Sequence, residues 1–389
     1  MPSHERVNKV SLDDLFPANS RLLLTGGGRD FLERLGVDAA RQVILGVLSG
    51  ENVRQQTEPL TRRRIAQLSG AMIALYKAGL EQVDQFGERL PEMALEQLTA
   101  RKRDNASTWI ANWAIGLTGK SVQNVLRSDV AARESYVADF DAAIRESARN
   151  CAEEFGYLDA TLGFVRGQDG ASVKFGWEDM LRLTTAIGSM TLTIRGSDKS
   201  MYGKLFERLV LGSVLTILGF DRVDHRSNTR VERVFWLSDA RETREADATL
   251  LISPGKVVRF DIGFIGPGNS EISKDKLSRF AREIEIDSRP HSSKTIVLVD
   301  RLPATLRTTT LADQIDAEIL QMSMKYWPKE LANRLEARYG YRHELSSMPE
   351  HEVASYLESK LKTVAVQDFL AGVSLNQYVR EAPSAYSAE

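Results

Sequence analysis

The sequence predicts a mixed α/β protein with a large α-helical N-terminal region, a helix–strand–hairpin–helix–strand core and C-terminal helices. Three observations predict it. Apolar residues recur at three- and four-residue steps from Leu22 to Phe155, the period of a helix with one buried face. After Met201 the texture switches to alternating and short continuous apolar runs, the signature of strands. After Pro303 the helical period returns. A chain of 389 residues exceeds one typical domain of roughly 100–200 residues. The texture divides it into a mainly helical accessory region at 1–195, a core at 196–305 and a C-terminal helical region at 306–389 packed on that core.

In order along the chain, Phe31, Leu32 and Leu35 form the first stripe, followed by Ala40, Val43, Ile44 and Val47. Ile65, Leu68, Ala71, Met72, Leu75 and Tyr76 form another, and a second helical block runs from Trp109 to Phe155. Between Gly156 and Gly196, glycines punctuate short β-rich pieces such as SMTLTIR, which reads as a connector with a little strand structure. GKLFERLVLGSVLTILGF reads as a helix of roughly four turns, apolar nearly all round after Arg208 and therefore buried. RVERVFWL alternates as a half-exposed strand does. EADATLLI and KVVRFDIGFIG read as strands joined at Ser253-Pro254-Gly255. EISKDKLSRFAREIEI is amphipathic at helical period, KTIVLVDRL reads as an interior strand, and LADQIDAEILQMSMKYW and EHEVASYLESKLKTVAVQDFL read as helices.

Composition narrows the function. A hydrophobic fraction of 42% builds real cores, and 51 Lys and Arg against 53 Asp and Glu exclude a polybasic protein but not a local basic surface. The single cysteine, Cys151, forms no intrachain disulfide and no thiolate cluster. With no signal-peptide core near the N-terminus and no apolar run of roughly 18 residues, the expected location is the cytoplasm. TGGGRD lacks the spacing and lysine of a phosphate-binding loop and reads as a turn and helix start. The five histidines form no ligand-spaced pair, and no serine-nucleophile elbow is present.

Three carboxylates stand out. Asp247 precedes the apolar ATLLI, Asp261 lies between Phe260 and Ile262, and Glu207 sits in the apolar helix. A buried carboxylate needs a cation, a proton or a hydrogen-bonded partner. Arg241, Arg244 and Arg259 offer ion pairs. A shared divalent metal would satisfy all three acids, and hard oxygen ligands suit Mg2+ or Mn2+ rather than zinc. A three-residue loop, 253–255, would pair residue 247 with 261 on one face. A two-residue Pro-Gly turn would separate them unless a bulge restored the alignment.

This order of elements and acids resembles the PD-(D/E)xK nuclease superfamily across about 100 residues, 201 to 302. The resemblance implies that Asp247, Asp261 and the carbonyl of Ile262 hold Mg2+, which Mn2+ replaces, and that Glu207 binds a second ion or a water on the metal. Ala246 replaces the motif proline, and Gly263 occupies the position of the motif lysine. Lys276 is the preferred replacement, ahead of Lys274, Lys204 and Lys256. An inactive DNA-binding or scaffold protein of this fold, or a structure-specific repair nuclease, is the alternative. DIGFIGPGN, SKDKLSRF and the N-terminal TEPLTRRR are more narrowly similar to type II restriction endonucleases of the CfrBI-like group. That similarity implies cleavage of double-stranded DNA at a short palindrome of the CCWWGG kind and functional pairing with a DNA methyltransferase. A palindrome is most simply read by a homodimer, and the C-terminal helices around Tyr326 and Trp327 are one candidate interface. Phosphate and base contacts are assigned to Arg101, Lys102, Arg103, Lys120, Asn124 and Arg127, and to the cluster Arg62, Arg63 and Arg64. In the first of these stretches TGKSVQNVLR opens a helix at Thr118.

Overall fold

The computed structural model describes residues 10–101, 103–119, 130–163, 172–224, 230, 232–238, 246–264, 294–300 and 317–376. The chain forms two compact units, residues 1–26 with 61–198 and residues 27–60 with 199–389.

The first unit is mainly helical. It contains α1 (Leu12–Leu15), α2 (Ala18–Thr25), most of α5 (Val53–Gln82), α6 (Phe86–Thr99), α7 (Asn105–Ala114), α8 (Val130–Phe155) and the start of α9 (Trp177–Ile217). Ser11 opens α1 with a capping box shared with Asp14, and Asp104 caps α7 by accepting the Ser107 N–H. The stripe on α5 is buried at Leu68, Ala71, Met72, Leu75 and Tyr76, as its spacing requires. A small antiparallel pair, β1 (Ala160–Gly163) and β2 (Ser172–Phe175), precedes α9.

The expected strand at SMTLTIR is helix. Thr191, Thr193 and Ile194 favour a strand locally, but Leu183, Ala186, Met190 and Ile194 are buried at three- and four-residue steps within the 41-residue α9. Burial of a continuous helical face overrides local β propensity here. The separate four-turn helix expected after residue 201 is the C-terminal part of α9. It is buried from Leu209 to Leu215, as an all-apolar surface demands.

The second unit holds α3 (Gly28–Leu35), α4 (Val37–Leu48), the start of α5, the end of α9 and a six-stranded mixed sheet. Its strands are β3 (Asp221–Arg222), β4 (Val234–Leu237), β5 (Ala248–Ser253), β6 (Lys256–Gly263), β7 (Lys294–Val299) and β8 (Ala317–Gln321), in spatial order. β4, β5 and β6 are antiparallel neighbours, and β6, β7 and β8 run parallel. β7 is buried on both faces, as the run KTIVLVD predicts. The helix expected across LADQIDAEILQMSMKYW is overturned at its centre. Ala317–Gln321 pairs with β7 as β8, because the sheet satisfies this backbone and buries Leu320 fully.

The chain closes with α10 (Trp327–Tyr339), α11 (Glu344–Ser347), α12 (Glu350–Thr363) and a short 3-10 helix, Val366–Leu370. Trp327 is fully buried and donates to the Val47 carbonyl at 2.8 Å. Its side chain is therefore a core group of its own chain. Among the described residues no helix is long and apolar enough to cross a membrane.

Candidate active site

The β5–β6 hairpin turns at Pro254-Gly255, with Ser253 opposite Lys256. This is the two-residue turn, which alone would send the two aspartates to opposite faces. A register shift between Leu251 and Ser253 inserts one residue and restores the alignment. From Leu251 opposite Val257 to Ala248 opposite Phe260 the register is continuous, and continued by one rung past the end of the ladder it would set Asp247 opposite Asp261. Ala248, Leu250 and Ile252 of β5 and Val258, Phe260 and Ile262 of β6 form the buried face. Asp261, with Thr249 and Arg259, lies on the other, half-buried face, where Val297 of β7 is its neighbour.

Asp247 stands in a bend just before β5 and is held from two sides. Its Oδ2 accepts the Ile262 N–H at 2.8 Å, which ties the first acid to the residue after the second. Its carbonyl accepts the Ser238 N–H at 3.2 Å, while the Ser238 hydroxyl donates to the Ala246 carbonyl. Arg208, on α9 beside Glu207, donates through Nη1 to the Ser238 carbonyl and through Nε to the Phe369 carbonyl at 3.2 Å. The helix carrying Glu207 is thus linked to the acid-bearing hairpin.

Among the described residues no three Asp, Glu, His or Cys side chains come together as a metal site. Two carboxylates carried by the two arms of one hairpin are a donor set that suits Mg2+, which keeps several waters and takes one or two carboxylates plus substrate phosphate.

Around this pair, Gly263 ends β6, and its carbonyl accepts the Asp300 N–H at 3.3 Å. Asp300 is buried beside the position of the motif lysine and accepts from Asn52 Nδ2 at 2.7 Å. No spacing in the sequence marks Asp300, Ser238 or Arg208, since Ser238 and Arg208 make main-chain contacts and the Asn52 partner of Asp300 is far away along the chain. Of the lysine candidates, Lys276 and Lys274 lie outside the described residues. Lys256 donates to the Tyr339 carbonyl at 2.7 Å, and Lys204 is half-buried on α9, one turn before Glu207.

Among the candidate DNA contacts, Lys102, Lys120, Asn124 and Arg127 lie outside the described residues, as does most of the helix expected from Thr118. Arg101 and Arg103 are exposed, and Arg103 also donates to the Ala100 carbonyl at 3.0 Å. Arg62 and Arg63 are exposed on α5. Arg64 is not available to DNA. It is fully buried, pairs with the buried Asp198 and donates through Nε to the Leu23 carbonyl at 2.9 Å. Burial pushes the Asp198 carboxyl above its ordinary range, and the Arg64 guanidinium and Thr61 hydroxyl pull it back only in part.

A sequence model of the CfrBI restriction endonuclease family matches residues 37–307. The type II restriction enzyme CfrBI of Citrobacter freundii is 32% identical over 362 residues, spanning 91% of this chain and 97% of that protein. The chain belongs to the CfrBI restriction endonuclease family. With the family it belongs to the endonuclease class of hydrolases. No solved structure matches it.

Proposed function

We propose that this member of the CfrBI family is a Mg2+-dependent type II restriction endonuclease with a PD-(D/E)xK core that cuts double-stranded DNA at a short palindrome. The observation that carries the reading is the Ile262 N–H donated to the Asp247 carboxylate at 2.8 Å, which ties the first acid to the residue after the second in a hairpin whose register, continued one rung beyond Ala248 and Phe260, sets Asp247 opposite Asp261. Asp247, Asp261 and the carbonyl of Ile262 would hold Mg2+, with Mn2+ as substitute. When bound, the ion supplies Lewis acidity at the scissile phosphate and makes water nucleophilic at neutral pH.

The chain's own residues orient and exclude. The hairpin carries both acids, and the Ile262 N–H would hold the Asp247 carboxylate in place for the ion. Glu207 is assigned a second ion or an ordered water, and Lys276 the motif lysine's role. Gly263 in the lysine position supports a second reading, an inactive protein of the same fold that still binds DNA.

The test is cleavage of plasmid and of CCWWGG-bearing duplexes in Mg2+ and in Mn2+. Discrete fragments support the restriction reading, whereas DNA left intact across many sequences overturns it in favour of the inactive protein. Cutting confined to junctions or flaps overturns it in favour of a repair nuclease. Asp247→Asn and Asp261→Asn should each lower cleavage at least on the order of 100-fold. DNA binding in Ca2+ should persist, or even strengthen as repulsion of the phosphates is relieved. Asp261→Asn with normal cleavage would remove the metal assignment.

A further inference from the structure

We infer that Arg208 is a positioning residue for the reaction, and that it holds Asp247 level with Asp261 by clamping Ser238. The inference rests on the proposed role of Asp247 and extends it to a residue on a different element.

Asp247 lies one residue outside β5, so the regular ladder that fixes Asp261 in β6 stops short of it. Its main chain is fastened instead to Ser238, just beyond the end of β4, through the Ser238 N–H at 3.2 Å. The Ser238 hydroxyl fastens Ala246, the residue before it. Ser238 is in turn fastened by Arg208, whose Nη1 donates to the Ser238 carbonyl. The contacts run in one line, from guanidinium to Ser238, from Ser238 to the Asp247 main chain, and from the Asp247 carboxylate to the Ile262 N–H.

The anchor at the other end is closely packed. Arg208 Nε donates to the Phe369 carbonyl, and Phe369 packs so closely on α9 that a Cβ at Gly212 would lie 2.6 Å from its ring. One planar fork therefore joins a helix, the C-terminal 3-10 turn and the end of β4. A lysine at 208 would keep the charge and lose that geometry, because an ammonium has no fixed pair of donor directions. Partners that orient a metal ligand from outside its own shell typically cost roughly 10–100-fold in metal affinity or activity when removed.

The experiment uses the full chain carrying Arg208→Gln, Arg208→Lys or Asp247→Asn. Three quantities are read: Mn2+ affinity by electron paramagnetic resonance, deuterium uptake in peptides containing Ile262 and in peptides from β7, and the Mg2+ concentration for half-maximal cleavage. Arg208→Gln should weaken Mn2+ binding and raise the Mg2+ requirement by roughly 10–100-fold. It should speed exchange at Ile262 and leave β7 unchanged. Arg208→Lys should fall between Arg208→Gln and the unaltered protein. If Arg208→Gln does not fold, Arg208→Lys carries the test, since it keeps the charge and the apolar stem.

Wild-type Mn2+ affinity and Ile262 exchange in the Arg208 variants, alongside lost Mn2+ binding in Asp247→Asn, would overturn the Arg208 inference alone. Faster exchange across β7 as well would reduce Arg208 to a general structural contact and equally overturn it. Normal Mn2+ binding in Asp247→Asn would instead overturn the metal reading beneath it.

Discussion

Arg64 and Asp198 show what a single pair contributes within the helical unit. Both side chains are essentially inaccessible, at 0% and 3% exposure, so neither charge has water to fall back on. Removing one partner leaves the other buried without the opposite charge it touches, which typically costs roughly 3–5 kcal/mol. Arg64→Met should therefore lower the unfolding free energy by about that much, measured by urea denaturation. Asp198→Leu added to it should restore most of the loss, because two apolar side chains bury no charge. Equal instability of the single and double variants would count against the pair as the cause. The same residue marks a limit of sequence reading. In TEPLTRRR the three arginines are equivalent by composition, and only the helical phase of α5 separates exposed Arg62 and Arg63 from buried Arg64. A partner 134 residues away cannot be read from local spacing.

At the scale of elements, α9 carries a contrast between two glycines. Gly212 faces Phe369, which is 4% exposed, and an added Cβ would lie 2.6 Å from its ring. Gly203, nine residues earlier on the same helix, has nothing within 4 Å of that position. Alanine gains about 1 kcal/mol over glycine in a helix interior, whereas overpacking costs about 1–3 kcal/mol. Gly203→Ala should raise the melting temperature and Gly212→Ala should lower it, both measured by calorimetry. A stabilising Gly212→Ala would mean that Phe369 is free to withdraw. The hairpin acids were legible because Asp247 and Asp261 interrupt apolar strands around a Pro-Gly turn. The bulge that aligns them was legible only as an alternative, since turn length and register shift trade off invisibly in sequence. β8 was hidden for another reason. AEILQ carries good helix formers, and only its pairing with β7 makes it a strand.

For the whole molecule, a formal net charge of −2 gives no general attraction to DNA, so affinity has to come from local cations on particular faces. Each phosphate neutralised releases counterions and adds about 0.9 to the slope of log affinity against log salt. If exposed Arg62 and Arg63 each meet a phosphate, replacing both with alanine should lower that slope by about 2 for every protomer on the DNA. A palindrome bound by a two-fold dimer engages both protomers, so the loss should be about 4 per complex, against about 2 for one protomer. Sedimentation of the protein on a single-site duplex supplies the independent count, and two protomers are expected. The Trp327 side chain is fully buried within its own chain and is not itself a contact, so Trp327→Phe should leave the count unchanged. A monomer on DNA with a slope loss of about 2 would end the dimer proposal and keep the arginine contacts. Two protomers with an unchanged slope would do the reverse, leaving the symmetry and removing Arg62 and Arg63 from the DNA surface.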